Sequence, residues 1–446
     1  MLLQFSAKNY ACFKDKIVFS LIASNADKRS LEDSNVFELP KFSLRLLKSA
    51  AIYGANASGK SKLFDAVEFM RKFVLNSAKE SHIKDPVPYN PFRLHTDTES
   101  APIELEVVFV YQGALYRYGF ESTNRVIVGE WLFRRTKTKE VALFNRDYQK
   151  IDFHKTAFKV KDLVENERIR PNALMLSVAA NWNNPVAVQV FEWFASVNLL
   201  DAKDENQFQG FSLSEVEQGN KQDIITFLRA GGIHIADIKI TKTKAQDIPV
   251  PDFLRNMLGE DEMLVTDILF AYKKYGQRKR MNEQISLFGT LKDSSSDAIS
   301  YENEFLSLMN DESSGTKQLF ALAGPILDTL RTGKILFIDE LESKLHPKLT
   351  KMIVSLFNSK ESNPLAGQLI FNTHNTNLLD LSLLRRDQIW LVEKNKFGAS
   401  SLYSLSDIKG IRHNEPSIRK KYMVGKYGGT PAISQTLVDE LILSDR

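Results

Sequence analysis

Residues 54–61 have the composition and spacing of a loop that binds phosphate groups. Gly54 and Gly59 enclose four residues and are followed by Lys60 and Ser61, which gives the pattern G-x-x-x-x-G-K-[S/T]. Glycines let main-chain N–H groups point inward around a phosphate, and the positive end of a following helix adds to the attraction. Lys60 would neutralise β- and γ-phosphate oxygens, and the Ser61 hydroxyl would bind Mg²⁺. The residues expected to contact the nucleotide are Gly54, Asn56, Ser58, Gly59, Lys60 and Ser61.

A second chemical pattern is KILFIDE, residues 334–340, an apolar run that ends in two carboxylates. A buried parallel strand presents its last residues at the carboxyl edge of the sheet, where a phosphate loop also lies. Asp339 would hold Mg²⁺ and its water shell, and Glu340 would orient and deprotonate the attacking water. Taken alone, the pair also suits a solvated acidic turn. The phosphate loop favours the catalytic interpretation.

Two weaker patterns accompany this pair. In ESSGTKQLF, Ser313, Ser314 and Gly315 precede an apolar helix, so they predict a helix N-terminus that could bind an anion or could be an ordinary cap. In QLIFNTHN, His374 follows an apolar strand. One helix separates that strand from the carboxylate strand. We therefore expect His374 on the neighbouring strand, facing the γ-phosphate.

These motifs need elements that bring their ends together. Residues 48–53 predict a strand before the phosphate loop, and residues 61–75 have helical spacing after it. Residues 302–405 alternate between helix and strand, which predicts a mainly parallel sheet. Residues 2–24 predict a hairpin, and residues 103–135 predict an antiparallel meander. The sequence thus predicts two kinds of sheet in one chain.

The composition of the 446 residues is that of an ordinary globular protein. The net charge of +4 argues neither for nor against a polyanionic partner. The single cysteine, Cys12, excludes an internal disulfide and fits a reducing compartment. The N-terminal residues lack the pattern of a signal peptide, and no apolar run has the length of a membrane span, about 18 residues. We expect a cytoplasmic protein without a membrane partner.

Taken in order, the phosphate loop, the serine-glycine run, the Asp-Glu strand and the Thr-His pair resemble the ABC-type ATPases. The resemblance is to the branch that includes SMC and DNA-repair proteins, and it covers residues 1–140 and 235–410. More narrowly, FSAKNYACFKD, ESSGTKQLF, DELESKLHP and FNTHNTNLLD are similar to small bacterial ATPases of abortive-infection and other anti-phage systems, of the RloA/AbiLi type. Such relatives often lie beside a nuclease or another toxic effector.

The resemblance implies an α/β fold, that of an ABC-type P-loop ATPase with an antiparallel β edge subdomain and an inserted helical subdomain. The N-terminal ATPase lobe would span residues 1–140 and the helical insertion residues 141–235. Returning strands and the C-terminal ATPase lobe would span residues 236–410. Residues 411–446 would form a basic appendage.

The resemblance also implies the cofactors ATP and Mg²⁺ and a role for each motif. Ser313 and Gly315 match the signature of the family, although SSGT replaces the usual SGGQ, and His374 matches its switch histidine. In relatives the signature helix contacts the triphosphate bound by a second copy. The chain would therefore be a homodimer or higher homo-oligomer with ATP at the interface. Residues 343–346 would form a loop that crosses to the second copy.

Two further parts of the ATPase site have only weak candidates. Gln112 is a candidate for the glutamine that contacts Mg²⁺ in relatives. Tyr10 or Phe13 could stack on the nucleobase, and the sequence does not decide between them.

The predicted function is an ATP-hydrolysing switch or sensor that controls a separate toxic effector, such as a nuclease, in anti-phage defence. The alternative is an SMC-like DNA-repair or DNA-binding ATPase, because residues 271–280 interleave aromatic and basic side chains. A self-contained nuclease has less support, since no Asp-x-Asp follows Glu393. A transporter motor is disfavoured by the lack of a membrane segment.

Overall fold

The structure is a computed structural model that describes residues 1–27, 30–79, 85–201, 205–244, 264–277, 299–412 and 415–431. The chain divides into two compact units. The first comprises Met1–Lys203 and Asp328–Arg446, and the second comprises Asp204–Leu327.

The strands and helices of the described residues follow in chain order. The strands are β1 (Leu2–Lys8), β2 (Ile17–Ser20), β3 (Val36–Leu39), β4 (Leu44–Leu47), β5 (Ser49–Gly54), β6 (Ile103–Tyr111), β7 (Ala114–Ser122), β8 (Ile127–Arg135), β9 (Glu140–Asp147), β10 (Lys150–Phe153), β11 (Val197–Asp201), β12 (Asp237–Lys244), β13 (Leu264–Gln277), β14 (Ile299–Ser307), β15 (Ile335–Asp339), β16 (Gln368–Asn372), β17 (Ile389–Lys394) and β18 (Ser400–Ser404). The helices are α1 (Glu32–Asn35), α2 (Lys60–Asn76), α3 (Thr96–Glu99), α4 (Lys161–Glu165), α5 (Met175–Asn181), α6 (Pro185–Ala195), α7 (Glu205–Glu215), α8 (Lys221–Ala230), α9 (Ser314–Thr332), α10 (Pro347–Asn358) and α11 (Ile418–Met423). A π-helical turn, Val216–Asn220, joins α7 to α8.

A six-stranded sheet in the order β11-β15-β16-β5-β17-β18 positions the predicted motifs in the first unit. Its strands are parallel except β18, which is antiparallel to β17. The central strands are apolar and buried on both faces, as expected for a covered parallel sheet. Because β15, β16 and β5 are neighbours, their carboxyl ends meet at one edge. The predicted strand, helix and parallel sheet are confirmed.

A seven-stranded antiparallel sheet, in the order β10-β9-β8-β7-β6-β1-β2, lies in the same unit. Helix α2 packs between the two sheets: Phe64 contacts Phe337 of β15, and Phe73 contacts Phe120 of β7, with ring centroids 5.4 Å apart in each pair. The predicted hairpin and meander are therefore parts of one sheet. The α/β class with an antiparallel subdomain is confirmed.

The predicted division of the chain differs from the observed one. Helices α5 and α6, expected in a helical insertion, pack in the first unit, where Trp193 stacks on Phe109 of β6 at 3.9 Å. Strand β11 also falls within the predicted insertion, yet it pairs with β15 of the parallel sheet. Among the described elements of the predicted insertion, α7, α8 and the π-helical turn between them belong to the second unit, together with β12, β13 and β14. The helical pattern indicates a buried face but does not say which surface covers it.

In the second unit, a side chain of α7 compensates for a proline inside α9. Pro325 in α9 has no N–H, so the carbonyl oxygen of Ala321 loses its usual helical donor. Ser212 Oγ of α7 accepts from the Gly324 N–H at 2.9 Å, and its one proton is shared between the carbonyl oxygens of Phe320 and Ala321, at 2.7 and 3.0 Å. The hydroxyl therefore inserts into the hydrogen bonds of this turn and fixes α7 against α9.

A buried ion pair joins the antiparallel sheet to the start of α5. The fully buried carboxylate of Glu130 accepts from Arg146 at 3.4 Å, from Tyr118 at 3.1 Å, and from the N–H groups of Met175 and Leu176 at 2.7 and 2.9 Å. Burial raises the pKa of Glu130, and the Arg146 charge opposes that shift. The carboxylate thus replaces a capping residue at α5.

We expect Glu130→Ala to lower the free energy of unfolding of the first unit by about 3–5 kcal/mol, because it leaves a buried guanidinium unpaired. Thermal denaturation monitored by tryptophan fluorescence measures the loss. Glu165→Ala is the control, since it removes a carboxylate from an exposed pair with Lys161. Equal melting temperatures for Glu130→Ala and the parent would contradict the stabilising role.

None of the helices in the described residues is long and apolar enough to cross a membrane. The loop predictions for QRKRMNEQ and LKDSSSDAIS, around residues 277–300, fall mostly on residues 278–298, outside the described residues.

Candidate functional site

The phosphate loop leads from β5 into α2, and close packing requires both of its glycines. Gly59 has a φ of +114°, which residues with a side chain rarely adopt. A Cβ atom there would lie 2.5 Å from Cys12 Sγ. At Gly54, a Cβ atom would lie 2.6 Å from the carbonyl oxygen of Val392 on β17. Any larger residue at either position would displace the loop.

Helix α2 begins at Lys60 with no capping side chain at Gly59. Its first N–H groups are thus not satisfied by a cap, which is the arrangement that binds phosphate at helix N-termini. The Lys60 ammonium group donates to the carbonyl oxygens of Gly54 and Ala55 at 3.0 and 3.1 Å. The lysine therefore lies folded along the loop.

Asn56 and Ser58, which are also predicted to contact the nucleotide, have different positions. Asn56 lines the open cleft above the loop. Ser58 is 2% exposed, and in the described part of the chain its Oγ has no hydrogen-bond partner. Its carbonyl oxygen accepts from the Ser400 hydroxyl at 2.5 Å. The main chain of Ser58 thus anchors the loop to β18.

The predicted magnesium ligands lie next to each other. Ser61 Oγ donates to Asp339 Oδ1 at 3.1 Å. Burial raises the pKa of the Asp339 carboxyl, and hydrogen bonds from Asn372 and Ser61 act in the opposite direction. A hydroxyl and a carboxylate are oxygen ligands of the kind that Mg²⁺ prefers.

Glu340 follows β15 in a left-handed conformation with a φ of +56°. Its N–H donates to Asn372 Oδ1 at 2.6 Å. The N–H of His374 donates to Glu342 Oε1, which joins the loop after β16 (the switch loop, residues 373–376) to the turn after β15. The Asn372 side chain of β16 and the Glu342 side chain after β15 therefore connect the ends of the two strands.

A cleft of about 750 Å³ opens over these residues. Seven residues of the phosphate loop and of the ends of β15 and β16 line it: Asn56, Gly59, Lys60, Ser61, Glu340, Asn372 and His374. Its other walls include Ala11, Cys12, residues 90–94, Lys394 and Gly398. The structure thus brings the phosphate loop, Glu340 and His374 of the first unit to one space, as the sequence predicts.

The residues present fit a magnesium-bound nucleoside triphosphate. The glycine loop leaves no room for a Cβ atom at Gly59, and α2 starts uncapped beside it. Ser61 and Asp339 supply two oxygen ligands. Among the described residues no cluster of three or more His, Cys, Asp or Glu side chains could hold a metal alone. Phosphate and water oxygens would have to complete the coordination of Mg²⁺.

The predicted signature lies in the second unit. Ser313 is exposed and its Oγ accepts from the Thr316 N–H at 3.2 Å, so it caps α9, whose first turn contains Gly315. The helix N-terminus predicted there is confirmed. Its contact with a nucleotide of a second copy stays a prediction.

The two weak candidates from the sequence lie elsewhere. Gln112 is in the turn between β6 and β7, where its amide donates to Glu192 at 3.3 Å, and it does not line the cleft. Tyr10 and Phe13 are 3% and 0% exposed, so neither offers a free ring face to a base. The residues between them, Ala11 and Cys12, line the cleft instead.

The basic strand considered for DNA binding belongs to the second unit as part of β13. Lys274 forms an ion pair with Glu304 at 2.8 Å, and Tyr272 donates to Glu312 at 2.7 Å. Residues 278–280 lie outside the described residues. In the described part of this strand, a basic and an aromatic side chain therefore already contact carboxylates of the same unit.

The tail, predicted only as a basic appendage, packs on the first unit near the switch loop. Tyr422 of α11 contacts Tyr53 at 5.8 Å between ring centroids. Tyr53 in turn donates to the Asn375 carbonyl oxygen at 3.2 Å. Arg419 donates to the Thr376 hydroxyl at 3.2 Å. The loop that follows His374 is therefore in contact with the tail.

Asn372 is the site residue that sequence reasoning missed. The only signal was a polar residue at the end of an apolar strand, two positions before His374. Its partners are distant in sequence, so no local pattern identifies them.

The sequence model of the family described as "AAA domain, putative AbiEii toxin, Type IV TA system" matches residues 49–168 and 204–380, more than half of the chain. These ranges include the phosphate loop, the carboxylate pair and His374. Among solved structures, the SMC head domain from Thermotoga maritima is similar over 90% of this chain and 98% of that chain, with 13% identity and a TM-score of 0.39. No curated protein matches the chain.

Proposed function

The chain belongs to this AAA-domain ATPase family, and from that premise we propose that it is an ATP-hydrolysing, ABC-type switch that controls a separate toxic effector in bacterial defence against phage. The observation that carries the proposal is the convergence of the phosphate loop, Glu340 and His374 on one cleft, with Asp339 hydrogen-bonded to Ser61 of the loop. The AbiEii name of the family supports a role in abortive infection, and the motif likeness supports the narrower RloA/AbiLi type. The protein would act in the cytoplasm.

Binding of the triphosphate would use the loop and the start of α2. Lys60 would exchange its two carbonyl contacts within the loop for β- and γ-phosphate oxygens. Ser61 and Asp339 would hold Mg²⁺, which, when bound, neutralises charge on the phosphate oxygens. Ser58 would keep the loop on β18 throughout.

Hydrolysis would depend on the carboxylate after β15. Glu340 lines the cleft and would accept a proton from the attacking water as general base. His374, just after the end of the neighbouring strand β16, would hold a γ-phosphate oxygen. The N–H contact between His374 and Glu342 supports a loop that moves together with the turn after β15.

A second copy would complete the site. Ser313 caps an exposed helix N-terminus, which is suited to an anion, and in relatives such a helix meets the triphosphate bound by a partner copy. ATP would then join two protomers and hydrolysis would release them. The tail supplies a route for the signal, because Arg419 contacts the loop after His374.

The DNA-binding alternative has less support, because Lys274 and Tyr272 of the basic strand contact Glu304 and Glu312. A salt-dependent affinity for DNA that falls on charge reversal of Lys273 and Lys274 would restore it.

The proposed function is tested in cells that express this chain together with the product of its neighbouring gene. We expect the parent pair to lower phage plaque counts, and Lys60→Ala to abolish that protection because the loop no longer binds the triphosphate. Lys72→Ala is the matched control, since Lys72 lies on the same helix in an exposed pair with Glu68. Protection by Lys60→Ala equal to that of the parent would overturn the proposal.

A further inference from the structure

Asn372, the last residue of β16, contacts three consecutive residues at the end of β15. Its side-chain amide N–H donates to Asp339 Oδ1. Its amide oxygen accepts from the N–H of Glu340 at 2.6 Å, and its main-chain oxygen accepts from the N–H of Leu341 at 3.3 Å. The side chain is fully buried. A single amide therefore holds the Asp339 carboxylate and the main-chain N–H of Glu340.

These contacts restrain the direction of the Asp339 carboxylate and the backbone conformation of Glu340, on which the proposed ATP hydrolysis depends. Glu340 has a φ of +56°, a conformation that residues with a side chain adopt uncommonly. The Asn372 oxygen fixes the N–H of that residue. The Asn372 nitrogen binds the same Asp339 oxygen that accepts from Ser61. The amide thus sets the direction of one carboxylate and the backbone turn of the other.

Few side chains could replace the carboxamide of Asn372. A carboxamide has a donor and an acceptor on one short branch, whereas a carboxylate only accepts. Aspartate at position 372 would add a negative charge beside Asp339. Leucine of similar shape would remove the acceptor of the Glu340 N–H and leave Asp339 Oδ1 with the Ser61 hydroxyl as its donor. A serine hydroxyl is too short to reach both at once.

We infer that Asn372 is a positioning residue for the Asp339–Glu340 pair, acting through these two residues rather than on the nucleotide itself. The inference rests on the proposed ATPase function. It predicts that removing the amide weakens magnesium-dependent nucleotide binding and slows turnover beyond any effect on folding. Partners that orient metal ligands typically contribute tenfold to a hundredfold in metal affinity or activity.

Asn363 provides a matched control at the opposite end of the same strand. It is 1% exposed, its amide N–H groups donate to the carbonyl oxygens of Phe357 and Gly367 at 2.7 and 2.8 Å, and its oxygen accepts from the Gly367 N–H at 2.7 Å. Gly367 precedes β16, whereas Asn372 ends it. Loss of this amide should cost stability without touching the carboxylates.

The test compares Asn372→Leu, Asn363→Leu and the parent by three measurements. Binding of a fluorescent, non-hydrolysable ATP analogue is titrated with Mg²⁺, steady-state phosphate release gives kcat and KM, and thermal denaturation reports folding. For Asn372→Leu we expect the half-saturating Mg²⁺ concentration to rise about tenfold or more and kcat to fall about tenfold to a hundredfold. KM for ATP at saturating Mg²⁺ should change much less. Asn363→Leu should lose melting temperature and keep the magnesium dependence and kcat of the parent.

A folded Asn372→Leu with the magnesium dependence and kcat of the parent would overturn the inference. If Asn372→Leu does not fold, Asn372→Ser is judged by the same criteria. An equal change in Asn363→Leu would also overturn it, because the effect would then be structural. Failure of the proposed function would show differently, as a parent chain that binds no ATP analogue at any Mg²⁺ concentration.

Discussion

Glu340→Gln should reduce the rate of ATP hydrolysis about a hundredfold to ten-thousandfold while nucleotide binding is retained, because glutamine keeps the shape of glutamate but cannot accept the proton of the attacking water. Glu340 lines the cleft beside the phosphate loop, and its backbone is fixed by Asn372. The substitution keeps the hydrogen bond from the main-chain N–H of residue 340 to Asn372. Steady-state phosphate release and a nucleotide-binding titration on the same preparation separate the two effects.

Two further variants serve as comparisons for this result. Glu393→Gln removes an exposed carboxylate on β17 that accepts from Tyr403, and we expect its turnover to match that of the parent. Lys60→Ala should lose nucleotide binding itself, because the ammonium group of the loop is gone. Turnover by Glu340→Gln equal to that of the parent would refute Glu340 as the general base.

The parts of the site that follow from local pattern were predictable. The phosphate loop needs a strand, two glycines and a helix in sequence, and the structure has β5, Gly54, Gly59 and α2 in that order. The strand of Asp339 is a continuous apolar run, and such runs form the covered strands of parallel sheets. Parallel pairing then brings strand ends together without further information. The meeting of these motifs at one sheet edge therefore follows from the topology.

The parts that depend on contacts between distant residues were not predictable. Asn372 and Asp339 are far apart in sequence, and no spacing rule links an amide to a carboxylate on another strand. The helices α5 and α6 show a buried face, but only the structure identifies β6 and α2 as its partners. The Gln112 amide likewise contacts Glu192 across the first unit. Local pattern indicates that a side chain is buried or polar, and tertiary structure decides what it meets.

Mg²⁺-ATP should convert the Glu340→Gln chain into a stable dimer or higher oligomer. If the triphosphate joins the phosphate loop of one copy to the Ser313 helix of another, blocking hydrolysis keeps the ligand that links them, and mass action favours association. Ser313→Arg would place a bulky side chain at the exposed cap of α9. We expect this second substitution to abolish association but not nucleotide binding, since the loop that binds the triphosphate is untouched.

Thr138→Arg adds the same charge at the exposed turn between β8 and β9 and is the matched control. In the Glu340→Gln background, it should leave association unchanged. A loss of association with Thr138→Arg as complete as with Ser313→Arg would mean that added charge, rather than the position of the signature, disrupts the contact.

We propose that ATP links the cleft of one copy to the signature helix, α9, of another. The most direct test is the molar mass of Glu340→Gln, measured by light scattering after gel filtration with and without saturating Mg²⁺-ATP. We predict a shift from the 50.7 kDa protomer to at least twice that mass on addition of nucleotide, and no shift for Lys60→Ala. A Glu340→Gln chain that binds ATP and keeps the same mass with and without it would contradict an ATP-dependent link between copies.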